Sequence, residues 1–227
     1  MLEIRTELSD RGIVNYVLDP RELTNEWQDQ LIDNLYDVAV DSFGRWLPYE
    51  AIDSRTRASD SLILLAKKTE SGEKIVGYSV NEIINLNCQD INYYNTVLIR
   101  RELQEKGIAN LLLEMQLMLN PCEVLLSRTQ NPAFYRVMKK MCDKYSYELM
   151  PGAKIVGNED DQDRALKIAR SYDSNVCPNL IVKGVYFGRA LMYDTPEPDT
   201  DSITESLIWN RLDVDSGDAT MLVAIKK

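Results

Sequence analysis

Midway along the chain the spacing of apolar residues changes period within a few positions. This change requires a strand followed closely by a helix. Residues 91–100 are rich in Tyr, Thr, Val and Ile, the make-up of a buried strand. From Gly107 onward, Ile108, Leu111, Leu112, Met115 and Met118 recur at helical spacing and read as one core-facing stripe. The short connection between them holds Gln104, Gly107 and Ala109. Small residues at 107 and 109 let another molecule come close to the backbone. The first N–H groups of a helix have no partner within it, and the helix dipole favours an anion there. Lys106 adds positive charge at the same place. A pyrophosphate suits such a turn, and so does an ordinary bend that Gly107 only eases.

The rest of the pattern places this unit in a mixed α/β (α+β) fold. Residues 12–18 read as a first strand, ended by Asp19-Pro20. Thr24 is a helix cap for a segment carrying Trp27, Leu31, Leu35 and Val38, which runs to about Ser42. Residues 43–60 read as a loop with at most a short helix. Residues 61–67 and 74–85 form two strands joined at Ser71-Gly72, a hairpin. After the central helix come a strand over 122–129 and a helix opened by Asn131-Pro132 and running to about Met141. Beyond Lys144 the pattern weakens. Residues 158–163 read as the acidic start of a helix over 165–170, 182–192 as a strand and 219–225 as a terminal strand. Residues 194–218 hold eight carboxylates against the single cation Arg211, which reads as solvated surface or as a site for a basic acceptor. The whole, 1–227, is expected to be one domain with a core over about 10–145 and a C-terminal elaboration over about 146–227.

Composition removes several classes of chemistry. The chain has no histidine, so no Ser-His or Cys-His machinery operates. Any general base must be Asp, Glu, Lys, Tyr, Cys, a terminal amine or an ordered water. Cys88, Cys122, Cys142 and Cys177 share no CxxC spacing, so a zinc site of the usual kind is not expected. Such scattered cysteines suit a reducing compartment. The start lacks an apolar signal region, and no apolar run approaches the roughly 20 residues that span a bilayer. A cytoplasmic protein without a membrane partner is expected. A net charge of −10 argues against nucleic acid and mildly favours a cationic partner such as an amine. Neither the GxxxxGK[ST] loop nor a GxGxxG after the first strand is present, which removes the common nucleotide-binding folds.

The stretch Gln104-Glu105-Lys106-Gly107-Ile108-Ala109 resembles the [Q/R]-x-x-G-x-[G/A] motif of the GNAT superfamily of N-acetyltransferases. Residues 99–103 resemble the end of that family's fourth strand, and the element order over about 12–141 is similar. The resemblance implies a GNAT-like mixed, splayed central sheet flanked by helices. It implies acetyl-CoA as cosubstrate, direct transfer of the acetyl group to an amine and, since members are often dimers, a homodimer. The amides of Glu105, Lys106, Gly107, Ile108, Ala109 and Asn110, following Gln104, would hold the CoA pyrophosphate. Val97, Leu98 and Ile99 would pair with the pantetheine arm, and a backbone N–H there would polarise the thioester carbonyl. Asn131 and Tyr135 would lie near the thiol, with Tyr135 as the acid for the leaving thiolate; Tyr135 fits as well a half-buried helix tyrosine whose hydroxyl is bonded locally. The C-terminal third is longer than is usual in the family.

Glu82 is the carboxylate best placed to be the base, because it interrupts an apolar strand. On its own, the alternation of the strand favours the solvent side for it. Tyr93, Tyr94 and Asn95 are candidates to order a water, and residues 46–50 to line an acceptor pocket. A non-catalytic acyl-CoA-binding or sensing module, or an interaction domain whose turn binds nothing, are the alternatives.

Overall fold

The computed structural model describes residues 1–70, 72–152, 159–186, 188–198 and 202–227. Its strands are β1 (Ile13–Leu18), β2 (Ser61–Thr69), β3 (Gly72–Leu86), β4 (Gln89–Ile99), β5 (Val124–Thr129), β6 (Tyr147–Met150), β7 (Ile181–Val182) and β8 (Ala219–Lys226). They form one sheet in the order β1-β2-β3-β4-β5-β8-β6, with β7 paired to β8. The sheet is mixed and mostly antiparallel, with β4 and β5 parallel. The helices are α1 (Leu2–Asp10), α2 (Asn25–Phe43), α3 (Tyr49–Ala58), α4 (Ile108–Leu119), α5 (Pro132–Tyr145), α6 (Glu159–Tyr172) and α7 (Ile203–Trp209). Among the described residues, no helix is long and apolar enough to cross a membrane, and no group of Cys, Asp and Glu could hold a metal ion.

The chain clusters into two compact units. The first comprises Met1–Ile83 and Tyr94–Pro121. Its core joins Ile4 and Leu8 of α1, Ile63 and Leu65 of β2, and Ile108, Leu111, Leu112 and Met115 of α4. Leu62 and Leu64 alternate with Ile63 and Leu65 and are also buried, so both faces of the strand are covered. Thr24 caps α2 by accepting from the Trp27 N–H at 3.4 Å, and Gly44, at φ +68°, ends it. The buried stripe of α2 is Ile32, Leu35, Val38 and Ala39, while Trp27 is 65% exposed. The expected stripe therefore turns by about one residue, leaving the indole outside. Met118, expected in the core face of α4, is 39% exposed.

The second unit comprises Ile84–Tyr93 and Cys122–Lys227. One face of β4, β5 and β8, through Tyr93, Leu126 and Val223, meets Ala165 and Ala169 of α6. Helix α5 buries Tyr135, Met138, Met141 and Cys142. Burial pushes the Cys142 thiol up to about 12, whereas Cys88 is exposed at a turn. A thiol reagent is expected to label Cys88 in the native protein and Cys142 only after unfolding, read by peptide mass. Because the fold favours the neutral thiol, this contribution to stability is whole below about pH 9. It is lost as pH rises towards 12.

Three elements depart from the sequence expectation, and in a fourth place the short helix that the sequence allowed is present. The 43–60 stretch contains α3, whose buried Ile52 and Thr56 are spaced four apart in an otherwise polar segment. Helix α1, with a similarly sparse stripe of Ile4 and Leu8, gave no clear periodic signal. The expected strand over 182–192 ends at Val182, because Gly184 and Gly188 take left-handed φ of +64° and +63° and turn the chain. The acidic 194–218 stretch includes α7, capped by Ser202. Of the expected acidic start over 158–163, Asn158 lies outside the described residues.

Candidate functional site

Strand β4 pairs with β5 only through Ile91, Asn92 and Tyr93. From Tyr94 to Ile99 it keeps its β3 neighbour, and among the described residues no second strand lies along its other edge. Gly77 lets the backbones come close here: a Cβ on it would stand 3.0 Å from the Leu98 carbonyl. An edge of this kind leaves every other N–H and C=O free to pair with an extended chain. Val97 is half-buried, and Leu98 and Ile99 are 7% and 5% exposed. Their side chains are therefore held while the strand edge stays open.

The edge leads directly into the turn. A single 3-10 turn over Arg101–Leu103 follows, then Gln104, Glu105 at φ +63° and Gly107 at φ +76°. Gly107 is the cap residue of α4. No side chain closes that helix start, and no acidic residue stands in its first turn. Glu105, Lys106 and Gly107 are exposed, Ala109 and Asn110 half-exposed, and Ile108 is buried as the anchor of the helix. The Asn110 side-chain oxygen is buried without a hydrogen-bond partner.

The turn is fixed from behind. The Gln104 amide donates to the Ile99 carbonyl at 3.0 Å and to Ser42 Oγ at 3.3 Å. Asp41 accepts the Arg101 N–H at 2.9 Å, and Arg11 donates to the Lys106 carbonyl. Lys106 Nζ donates to the Glu102 carbonyl at 2.7 Å. Gln104 is thus a brace that faces the protein, and its side chain is not turned to the open surface. Asp41, Ser42 and Arg11 had no motif to announce them, since each meets the turn across long sequence separations. Chemically, the result is an exposed turn, braced from behind, whose uncapped helix start is continuous with an open strand edge. It suits a phosphate followed by an extended amide-bearing chain.

The structure brings Glu82 of β3 beside Asn95 of β4, whose side-chain amide donates to Glu82 Oε1. Both are half-buried. Glu82 therefore sits neither in the core nor in open solvent. Tyr94 is buried, and its hydroxyl donates to the Leu113 carbonyl at 3.3 Å, fastening α4. Tyr93 is buried in the second unit. There its hydroxyl accepts from Arg128 Nε at 3.3 Å, and its ring lies 4.8 Å from that of Tyr172. Trp46 is 63% exposed. The Tyr49 hydroxyl donates to Asp33 Oδ1 at 2.8 Å, and desolvation, followed by this bond, pushes its pKa up to about 12.

Asn131 and Tyr135 stand in the second unit. The Asn131 side chain accepts the Ala133 N–H at 2.9 Å and so caps α5. Tyr135 is 2% exposed, its hydroxyl donates to the Pro151 carbonyl at 3.2 Å, and its ring meets Trp209 edge-on. Burial pushes the phenol well above its ordinary range. Both groups are engaged by the scaffold.

No protein-family model matches the sequence, and no curated protein matches it. Solved structures do. Arabidopsis thaliana NAA60 in complex with a bisubstrate analogue aligns over 95% of this chain and 99% of its own, with a TM-score of 0.52 at 12% identity. The ribosomal-protein-S18-alanine N-acetyltransferase of Escherichia coli aligns over 94% and 96%, with a TM-score of 0.48 at 11% identity. The fold shared with the first of these extends over nearly the whole of both chains.

Proposed function

We propose that this chain, which has the GNAT fold, is an acetyl-CoA-dependent N-acetyltransferase acting by direct transfer to an amine. The observation that carries the reading is the open β4 edge from Tyr94 to Ile99 running into the uncapped start of α4 at Gly107. The pyrophosphate of CoA would lie on the N–H groups of residues 105–110. The pantetheine arm would pair along Val97, Leu98 and Ile99, and a free N–H of that edge would take the thioester oxygen as it becomes an oxyanion.

The acceptor reaches the site protonated at neutral pH and must lose a proton to attack. Glu82 is the base, acting directly or through a water ordered by Asn95. The amine nitrogen then bonds the acetyl carbon and the C–S bond breaks. The thiolate leaves and is protonated from solvent. The acidic chain, with net charge −10, attracts cationic acceptors. Replacing Glu82→Gln is expected to lower kcat about 100-fold or more while acetyl-CoA binding stays unchanged. Gln104→Ala removes the side-chain bonds that tie the turn to Ile99 and Ser42. It is expected to cost about 1–2 kcal/mol of stability by thermal melting and to weaken acetyl-CoA binding several-fold.

The decisive assay incubates the purified protein with acetyl-CoA and a panel of small amines and peptide N-termini, and follows free thiol. Amine-dependent release of CoA supports the transferase. Acetyl-CoA binding without release, whatever the amine, would instead establish a non-catalytic acyl-CoA-binding module. The buried, scaffold-bound hydroxyl of Tyr135 favours that second reading.

A further inference from the structure

A cavity of about 220 Å³ lies within the second unit. Met150, Leu180, Ile181 and Ile208 supply apolar walls, and Thr220 and Arg211 also line it. Thr220 is 1% exposed, yet its hydroxyl has no hydrogen-bond partner. A buried hydroxyl left unpaired is unfavourable, and a ligand atom that pairs with it relieves the cost. Arg211 is exposed, and among the described residues its guanidinium has no ion pair or hydrogen bond.

The lack of a partner is notable in so acidic a stretch. Asp218 is taken by Lys183 Nζ at 2.5 Å and by the Gly184 N–H at 3.2 Å. Asp213 is taken by the Ser216 hydroxyl at 2.7 Å, and Glu205 by Arg136 at 2.7 Å. These three carboxylates are committed elsewhere, and the one cation of the stretch is left beside a cavity. Its volume matches about seven water molecules.

We propose that this cavity binds a small carboxylate with an apolar body and a polar atom at its far end. The carboxylate meets the fork of Arg211, which presents paired donors to two oxygens. The body lies against Ile181, Ile208, Leu180 and Met150, and the far polar atom pairs with the Thr220 hydroxyl. An apolar pocket with a few convergent polar groups is the usual form of a small-molecule site.

The test is calorimetric titration of the full chain with 4-oxopentanoate, its neutral amide 4-oxopentanamide, and pentanoate, which lacks the ketone. Saturable binding of 4-oxopentanoate is expected. It should be at least tenfold weaker for the amide, and at least tenfold weaker for the exposed variant Arg211→Gln. Thr220→Val should erase the preference for 4-oxopentanoate over pentanoate. Equal binding of acid and amide overturns the proposal, as does unchanged affinity in Arg211→Gln. Absence of saturation at concentrations where a millimolar ligand would saturate does so too. A preference that survives Thr220→Val overturns the role of the hydroxyl.

Discussion

Gly107→Trp is expected to leave the protein folded and to lower its affinity for acetyl-CoA by at least about 100-fold. Gly107 sits at φ +76°, where a side chain costs about 1–2 kcal/mol. That loss lowers the melting temperature by roughly 2–8 °C for a chain of this size. The scaffold itself has room: a Cβ at this position meets only the Asn110 side-chain nitrogen, at 4.0 Å. The indole is therefore expected to lie over the exposed face of the turn, at the uncapped start of α4. Gly107→Ala separates the two effects, since it carries the same backbone strain with little bulk. Calorimetric titration should rank wild type first, alanine next and tryptophan far behind. Equal binding by wild type and Gly107→Trp would place the phosphates somewhere other than this turn.

Gln116→Leu is expected to lower stability by about 3 kcal/mol, or roughly 6–12 °C in melting temperature. Gln116 is fully buried on α4. Its amide donates to the Ser79 carbonyl at 3.2 Å and to Ser79 Oγ at 3.0 Å, and its oxygen accepts from Ser61 Oγ at 2.8 Å. Asn120 adds a donor to the same Ser61 oxygen at 2.8 Å. A single glutamine thus joins the helix to β2 and β3. Leucine fills the volume but deprives several buried groups of partners at once. The double variant Gln116→Leu with Ser79→Ala removes one of the stranded hydroxyls along with the amide. It should recover part of the loss, because deleting both partners of a buried bond costs less than deleting one. A double variant no more stable than Gln116→Leu alone would show that the loss comes from helix packing and not from stranded polar groups.

What the sequence disclosed and what it hid follow from the range of the forces involved. The Thr24 cap of α2 and the strand–turn–helix around Gly107 depend on neighbours a few residues away, and their spacing is visible in the chain. The element order from the first strand to α5 was legible for the same reason. Helix α1 was not, and α3 was legible only as a short helix within a loop, because each buries only two side chains four apart, a stripe too thin to stand above its polar background. The strand expected after Val182 failed at Gly184 and Gly188, where the backbone turn outweighs the β-branched composition. In the site, the exposed turn was readable, but its support was not. Gln104 braces Ser42 from 62 residues away, and Arg11 holds the Lys106 carbonyl from 95 away. The sequence offered Tyr135 as an acid, whereas its hydroxyl is engaged by the Pro151 carbonyl, a contact that only tertiary packing sets. Glu82 fell between its two readings, half-buried against Asn95.

The measurement that tests the central claim most directly is an amide-resolved NMR titration of the 26.0 kDa protein with acetyl-CoA. Saturable shifts concentrated at the amides of residues 105–110 and 97–99 are the predicted result. Shifts confined to other parts of the chain, or none at saturating cosubstrate, would contradict it.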